Sequence, residues 1–361
     1  MEQSVVEQLS AEPTAQIPPR HGPEARALLR AGLLSLRLRS TRAPAYTRID
    51  TVPLMRVLLS FLIACALIAS DGTAPALAAR PVSTPSARLV AIGDLHADID
   101  AARRAFRLAG ATDERDAWIG GNLTVVQMGD LVGRGKDDRA VLEFVLDLQD
   151  KAKAAGGTLH VLLGNHEVFA ARPDHRWVDP DAFAAFRAVP GLNLKHPRIA
   201  ALPAPERARA AAMMPGGVYS KRLAALPAVL RIGDTVFAHG GVLPHWARYG
   251  IDRVNGEVSA WLAGKTDEPP ATLGLDDGSA DDGVMWSRHF AADWTNVCAV
   301  LDESLSILKA RRMVVAHTVQ TKITPRCQER AWAIDVGISR YYGGDLQVLE
   351  ILNDREFRIL R

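Results

Sequence analysis

A chain of 361 residues, 48% hydrophobic and 23% charged, has the make-up of a globular protein and room for one large domain or two small ones. Lys and Arg (43) nearly balance Asp and Glu (41), and the formal charge of +2 excludes a partner bound through bulk positive charge, so no nucleic-acid partner is expected. Residues 1–54 stand apart, with Pro, Arg and small residues, several Arg between Arg20 and Arg48, and no sustained apolar period. A basic arm or a targeting extension are functional readings of such a stretch; the preferred one is a disordered or untranslated extension upstream of the true start. Met55-Arg56 then precedes the apolar run Val57 to Ala69, and Ala74-Pro75-Ala76-Leu77-Ala78-Ala79-Arg80 follows. That is the pattern of a secretory signal peptide over 55–78, and the apolar run is short for a membrane span. It predicts a start at Met55, cleavage near Ala78, and export to the periplasm without a stable membrane span. Leu62-Ile63-Ala64-Cys65 resembles a lipoprotein box, and lipid anchoring at Cys65 is the alternative. Residues 79–87 form a Pro/Ser-containing linker.

The regular chain begins at residue 88. Leu89 to Ile92, Leu123 to Met128 and Leu159 to Leu163 are apolar runs that read as buried strands of a mainly parallel sheet. Ile99, Ala102 and Phe106 make a helical stripe after the first, and Val141, Leu142, Val145 and Leu148 another after the second. Residues 174–217 show no strand period and several Pro; Tyr219, Lys221 and Arg222 just beyond read as exposed surface. Val229–Ile232 and Thr235–Ala238 flank Gly233-Asp234, a hairpin dipeptide. Asp276, Asp277, Asp281 and Asp282 lack the alternating spacing and closing Glu of an EF-hand, so a surface loop is expected there. Cys298 and Cys327 are the cysteines left after leader cleavage, and an even count in an exported protein suggests a disulfide, with two buried thiols as the alternative. Strand-like segments 331–336, 346–352 and 357–360 close the chain.

Each of the three buried runs is followed by a short polar motif. These are Gly93-Asp94-Leu95-His96, Gly129-Asp130-Leu131-Val132-Gly133-Arg134-Gly135 and Gly164-Asn165-His166-Glu167. The motifs fall where strands end, the edge at which open α/β sheets bind ligands. Together they bring Asp, His, Asp, Asn and His to one place, a donor set for hard or borderline divalent metals rather than for thiolate chemistry. Two carboxylates, Asp94 and Asp130, cancel only half the charge of two divalent ions. The remainder suits a dianionic phosphate ester and a hydroxide, the use to which metal pairs about 3.5–4 Å apart are put.

These motifs resemble those of the PPP-type phosphatases within the calcineurin-like metallophosphoesterase superfamily. Phe237-Ala238-His239-Gly240-Gly241 and Val314-Val315-Ala316-His317-Thr318 fit the same pattern in the same order, so that the likeness spans about residues 88–345. Trp286-Ser287-Arg288 and the segment Ile334 to Arg340 look most like the bacterial Shewanella-like protein phosphatases. The resemblance implies a four-layer α/β/β/α sandwich over 88–361, with a helical cap insertion at about 174–217. It implies hydrolysis of phosphate monoesters by a bimetal-bound hydroxide, acting on phosphotyrosine or phosphoserine/threonine proteins. Nucleotide or dinucleoside polyphosphate hydrolysis and weakly active binding of phosphorylated ligands are the alternatives. One metal would be held by Asp94, His96 and Asp130. Asp130 would bridge to a second, which also takes Asn165, His239 and His317. Manganese is the expected ion, with Fe, Zn, Co or Mg also compatible. Arg134 and Arg288 would grip phosphate oxygens, beside Asn165, and His166 would act as general acid. Asp335 is a candidate partner for a metal-bound His, with a turn-capping Asp as the equal alternative. Two positions depart from the family pattern: Ala97 stands for a Gly, and Gly133 for an Asp that pairs with the catalytic His in relatives. Glu167, Asp137 and Asp138 are the candidates to replace that Asp.

Overall fold

Two five-stranded sheets carry the site, and the computed structural model describes residues 87–273 and 282–361. The leader at 55–78, Cys65, the extension 1–54, residues 79–86 of the linker, and Asp276, Asp277 and Asp281 lie outside the described residues. The first sheet has the order β10-β9-β1-β2-β3, from β1 (Arg88–Ile92), β2 (Thr124–Gln127), β3 (Thr158–Val161), β9 (Val348–Leu352) and β10 (Glu356–Leu360). The three apolar runs form β1, β2 and β3, paired in parallel as their sequences predict. Such pairing needs crossovers, supplied by α1 (Ile99–Leu108) and α2 (Asp138–Ala154).

The second sheet, β4-β5-β6-β8-β7, joins β4 (Val229–Ile232), β5 (Thr235–Ala238), β6 (Arg312–Val315), β7 (Thr324–Arg326) and β8 (Ala331–Ala333). β4 and β5 are antiparallel around Gly233-Asp234, with Ile232 opposite Thr235. Neither sheet is mainly parallel. Antiparallel strands close their edges, β9 and β10 on the first and β4 and β7 on the second. The sequence predicts the hairpin of β4 and β5 and the strands at 346–352 and 357–360; the antiparallel pairing of β9 with β1 and β10, and strand β7, it does not.

Both sheets and the inward faces of the helices share one continuous apolar core. It takes in Val90, Ile92, Val125 and Val161 of the first sheet, Val236, Phe237, Val314 and Ala333 of the second, and Phe106, Val141, Leu142, Val145 and Leu148 from the helical stripes. The fold is therefore the α/β/β/α sandwich. After α3 (Asn165–Ala171), residues 174–217 form a 3-10 helix at Pro180–Ala188 and two short helices, α4 (Pro197–Ala200) and α5 (Arg207–Met213). α6 (Val218–Leu223), α7 (Pro244–Tyr249), α8 (Ile251–Leu262) and α9 (Val297–Leu308) complete the helices used below. Tyr219 of α6 is buried, not exposed, because its hydroxyl donates to Glu143 Oε1 at 2.7 Å, while Lys221 and Arg222 face solvent. A disulfide joins Cys298 to Cys327. No helix among the described residues is long and apolar enough to cross a membrane.

A candidate metal centre at the strand ends

The five motifs meet because each sits just past the end of a strand, β1, β2, β3, β5 or β6, and these ends converge. Several of the converging residues hold left-handed backbone: His96 (φ 44°), Asp130 (φ 53°), Arg134 (φ 71°) and His317 (φ 63°). Each such residue costs about 1–2 kcal/mol, and strain of this kind collects at functional sites. Backbone bonds hold it in place, with Asp130 O accepting from Leu95 N (3.1 Å) and His96 N (2.9 Å). Glu167, wholly buried, organises the second loop. It accepts from Asp130 N (3.0 Å) and Gly164 N (2.7 Å) through Oε2, and from Leu131 N (2.9 Å) through Oε1. Gly164 is required by space, since a Cβ there would run into the Asp130 carboxylate.

Asp130 stands at the centre. One of its oxygens and a ring nitrogen from each of His96 and His166 lie within 4.8 Å of one another; Asp130, His239 and His317 form a second such group. His239 Nδ1 meets the Met128 carbonyl at 2.9 Å. With that nitrogen donating, Nε2 faces Asn165 Oδ1 at 3.1 Å and Asp130 Oδ2 at 3.3 Å, a lone pair against two acceptors unless a cation or a proton lies between. Asp94 stands 3.7 Å from His96 Nε2 through Oδ2 and 3.7 Å from His239 Nδ1 through Oδ1. Both Asp94 oxygens, His96 Nδ1, His317 Nε2 and Asp335 Oδ2 are buried with no hydrogen-bond partner among the described residues. Buried polar atoms left so are costly, and a cluster of acceptors and imidazoles is what a divalent cation satisfies. The residues present fit a metal pair.

The electrostatics agree with a site built for positive charge. Burial, then repulsion from Asp335 and Asp130, pushes Asp94 well above its ordinary pKa. Burial likewise raises Asp335 to about 6, against the N–H of Gly337, and Glu167 to about 7, with repulsion from Asp130 adding to it. At Asp130 burial also opposes ionisation, but attraction to His239 and His166 outweighs it and holds the carboxyl well below the usual range. Burial lowers His96 and His317 well below their ordinary value, leaving both imidazoles neutral, the form that binds metal. His239 is raised, because the Asp130 carboxylate overcomes burial.

The expected phosphate-gripping and acid groups lie around this cluster. The Arg134 guanidinium lies over the Trp177 ring at 4.0 Å and near Tyr341 at 5.2 Å. Arg288 Nη1 reaches the His317 carbonyl and Thr318 Oγ1, each at 3.4 Å, and neighbouring Trp286 is buried in the core. His166 donates its backbone N–H to Asp130 Oδ1 at 2.9 Å, and its ring stands edge-on to His96 with centroids 4.7 Å apart. Burial brings His166 down to about 4, with Asp130 and Asp138 pulling the other way and Arg134 adding to the fall.

The question of Gly133 has a steric answer. Gly133 has φ +79°, and a Cβ on it would run into Nδ1 of His166. This turn leaves no room for an Asp at 133. Among the three candidate replacements, Glu167 is committed to backbone N–H groups, and Asp137 contacts Arg340 Nη2 at 3.2 Å. Asp138 is buried beneath the turn and accepts from Gly133 N at 2.7 Å. Asp335 caps the turn that follows it, its Oδ1 accepting from Gly337 N at 2.9 Å, and its carboxyl lies near both Asp94 and His239. Residues not singled out from the sequence also reach the site. Tyr342 packs its ring on His96 at 5.2 Å, and Trp177 supports Arg134 from the irregular segment.

The chain's likeness to known proteins runs the length of this architecture. The pattern of the calcineurin-like phosphoesterase family matches residues 87–319. Shewanella-like protein phosphatase 2 of Arabidopsis thaliana is 34% identical over 304 residues, covering 76% of this chain and 77% of that one. Shewanella-like protein phosphatase 1 of Plasmodium berghei is 26% identical over 282 residues, 76% and 74% of the two chains. Among solved structures, a cold-active protein-tyrosine phosphatase of a psychrophilic Shewanella species superposes with a TM-score of 0.60 at 22% identity, over 77% of this chain and 82% of that one, which shows a shared fold.

Proposed function

This chain belongs to the calcineurin-like phosphoesterase family and is a phosphatase, and from that premise we propose that it cleaves phosphate monoesters of phosphoproteins at a pair of divalent ions. The observation that carries the metal pair is Asp130, shared by the group of His96, Asp130 and His166 and the group of Asp130, His239 and His317. Both Asp94 oxygens are buried beside them with no hydrogen-bond partner among the described residues, so Asp94 is given the ligand role and His166 is kept for the acid role. Asp94, His96 and Asp130 would hold one ion, and Asp130, Asn165, His239 and His317 the other. Manganese is the first ion to test. When bound, such ions supply Lewis acidity to the phosphoryl group and lower the pKa of water.

The chain's own residues divide the remaining work. Arg134 and Arg288 bind the phosphate oxygens, the planar forks matching a tetrahedral oxyanion better than ammonium groups would. Asn165 orients the bound ester beside them. His166 would pass a proton to the leaving oxygen. Held at about 4 by burial, it is mostly neutral at pH 7 in the metal-free protein. Esters whose alcohols leave without much help therefore suit the site, and aryl phosphates should turn over faster than alkyl ones. Residues 174–217 form the cap, and Trp177 brings that segment to Arg134. Export rests on the segment 55–78 alone.

A phosphoprotein is the proposed substrate because the relatives named above are called protein phosphatases. The test is a side-by-side assay of the manganese-loaded protein on a phosphotyrosine peptide, a phosphoserine peptide and diadenosine tetraphosphate. Phosphate release from a peptide, faster from phosphotyrosine, is expected. Turnover of the dinucleotide alone would replace the proposed substrate with a nucleotide. Binding of all three without turnover would make the protein a phosphate-ligand binder.

A further inference from the structure

Gly133 and Arg134 are consecutive left-handed residues, with φ of 79° and 71°. A turn of that kind relaxes unless its peptide groups are held. Its three N–H groups are each satisfied from a different part of the chain. Gly135 N donates to the His96 carbonyl at 3.1 Å, within the first motif, as well as to the Gly133 carbonyl of the turn itself at 2.9 Å. Arg134 N donates to the Trp177 carbonyl at 2.6 Å, and Gly133 N to Asp138 Oδ1 at 2.7 Å. The other oxygen of Asp138 accepts from Arg209 Nε at 2.5 Å. Arg209 lies on α5, 71 residues away in sequence, and both side chains are buried, 1% and 0% exposed.

We propose that Asp138 and Arg209 are a positioning pair, through which the segment 174–217 fixes the Gly133–Gly135 turn and with it the Arg134 guanidinium and the seat of the His166 ring. The proposal rests on the reading of this site as a phosphatase centre. A neutral side chain would satisfy the Gly133 N–H without the desolvation that a buried ion pair costs. What the pair adds is a fixed geometry between two segments that, among the described residues, no strand pairing or disulfide joins. Two of the turn's three N–H groups then depend on 174–217, one directly through Trp177 and one through the carboxylate that Arg209 holds. Arg134 completes the arrangement by lying over the Trp177 ring. The His166 ring in turn rests on Gly133, so that a carboxylate below the turn serves where one at position 133 cannot fit.

The test uses the full chain loaded with manganese, and inorganic phosphate as the probe. Asp138→Asn/Arg209→Met removes both charges together, so no buried charge is stranded. Arg209→Lys keeps the charge, loses the planar fork and provides a milder variant whose fold is retained. The readouts are bound manganese per chain, the thermal midpoint, the phosphate Kd by calorimetry, and kcat and KM for 4-nitrophenyl phosphate. A 1 Å misplacement of a binding group costs up to about 10²-fold, so the double variant should weaken phosphate about ten-fold and Arg209→Lys about three-fold, at unchanged manganese content. Adding Arg134→Ala should weaken phosphate far less in the double variant than in the unsubstituted protein, because the pair acts through Arg134. Unchanged phosphate affinity in a folded variant would overturn the proposal. So would additive effects, or a rise in Kd that appears only with loss of manganese. Failure of the phosphatase reading would look different: no turnover by the unsubstituted protein, with the phosphate Kd still measurable.

Discussion

Adding one methyl group at Gly133 tests the steric account of the site most sharply. The residue is buried with φ +79°, and the new Cβ of Gly133→Ala would meet the His166 ring at Nδ1. Holding a non-Gly residue left-handed costs about 1–2 kcal/mol. Forcing a methyl into packed surroundings adds about 1–3 kcal/mol. The loss of chain freedom in the unfolded state returns about 0.4–1 kcal/mol. The net expectation is a destabilisation of roughly 1–5 kcal/mol, read as a shift in urea midpoint at constant slope. Activity should fall unevenly. Positioned acid catalysis contributes about 10²–10⁴-fold, so pushing the His166 ring aside should cut kcat on an alkyl phosphate by about 10²-fold. 4-Nitrophenyl phosphate, whose leaving group needs little protonation, should lose much less. Gly133→Asp should behave worse still, because its carboxylate would enter beside buried Asp138. If Gly133→Asp instead raised alkyl phosphate turnover at unchanged stability, the reasoning about this turn would be refuted.

Two further outcomes follow from the same geometry. Opening the bond between Cys298 and Cys327, which are 29 residues apart, should lower stability by about 3–4 kcal/mol on the loop-entropy estimate, seen in urea unfolding with and without reductant; coincident curves would contradict it. Metal binding should also release protons. Asp335 at about 6 and Glu167 at about 7 are raised carboxyls, so each holds its proton in the metal-free protein below that pH and surrenders it as pH rises. Divalent cations favour the ionised carboxyls, Asp94 among them, and the neutral form of His239, so apparent manganese affinity should climb as pH rises through about 6 to 7. Calorimetry at pH 6 in buffers of different ionisation enthalpy measures the release, and heats independent of buffer would argue against it.

What the sequence showed of the site is what repeats along the chain. Val90, Val125 and Leu159 mark buried parallel strands, and a Gly with an adjacent Asp or Asn at each end marks a tight turn carrying a ligand. Those local signals mark Asp94, Asp130 and Asn165, the family resemblance adds His239 and His317, and the structure brings all five to one cluster. The edge strands were less legible, because a hairpin such as β9 and β10 carries no crossover to announce its direction. The supports of the site were legible only in part: Asp138 and Glu167 stand out as candidates, but the partners that hold them do not. Asp138 and Arg209 meet across 71 residues, and nothing local in either segment signals the contact. Tyr219 looked like surface because the sequence does not show Glu143 waiting for its hydroxyl. The two departures from the family pattern have different physics. Gly133 is imposed by the His166 ring, whereas Ala97 holds φ 51° where Gly would be unstrained, and it is retained as a buried methyl at the motif's end.

The central claim is a phosphatase centre in which Asp130 joins two metals. Its most direct test is a titration of the metal-stripped protein with manganese, following 4-nitrophenyl phosphate hydrolysis and bound metal together, beside Asp130→Asn. Turnover that rises to a plateau near two manganese ions per chain, with neither tight binding nor turnover in folded Asp130→Asn, is the predicted result. Turnover by the stripped protein, or full activity in Asp130→Asn, would contradict it.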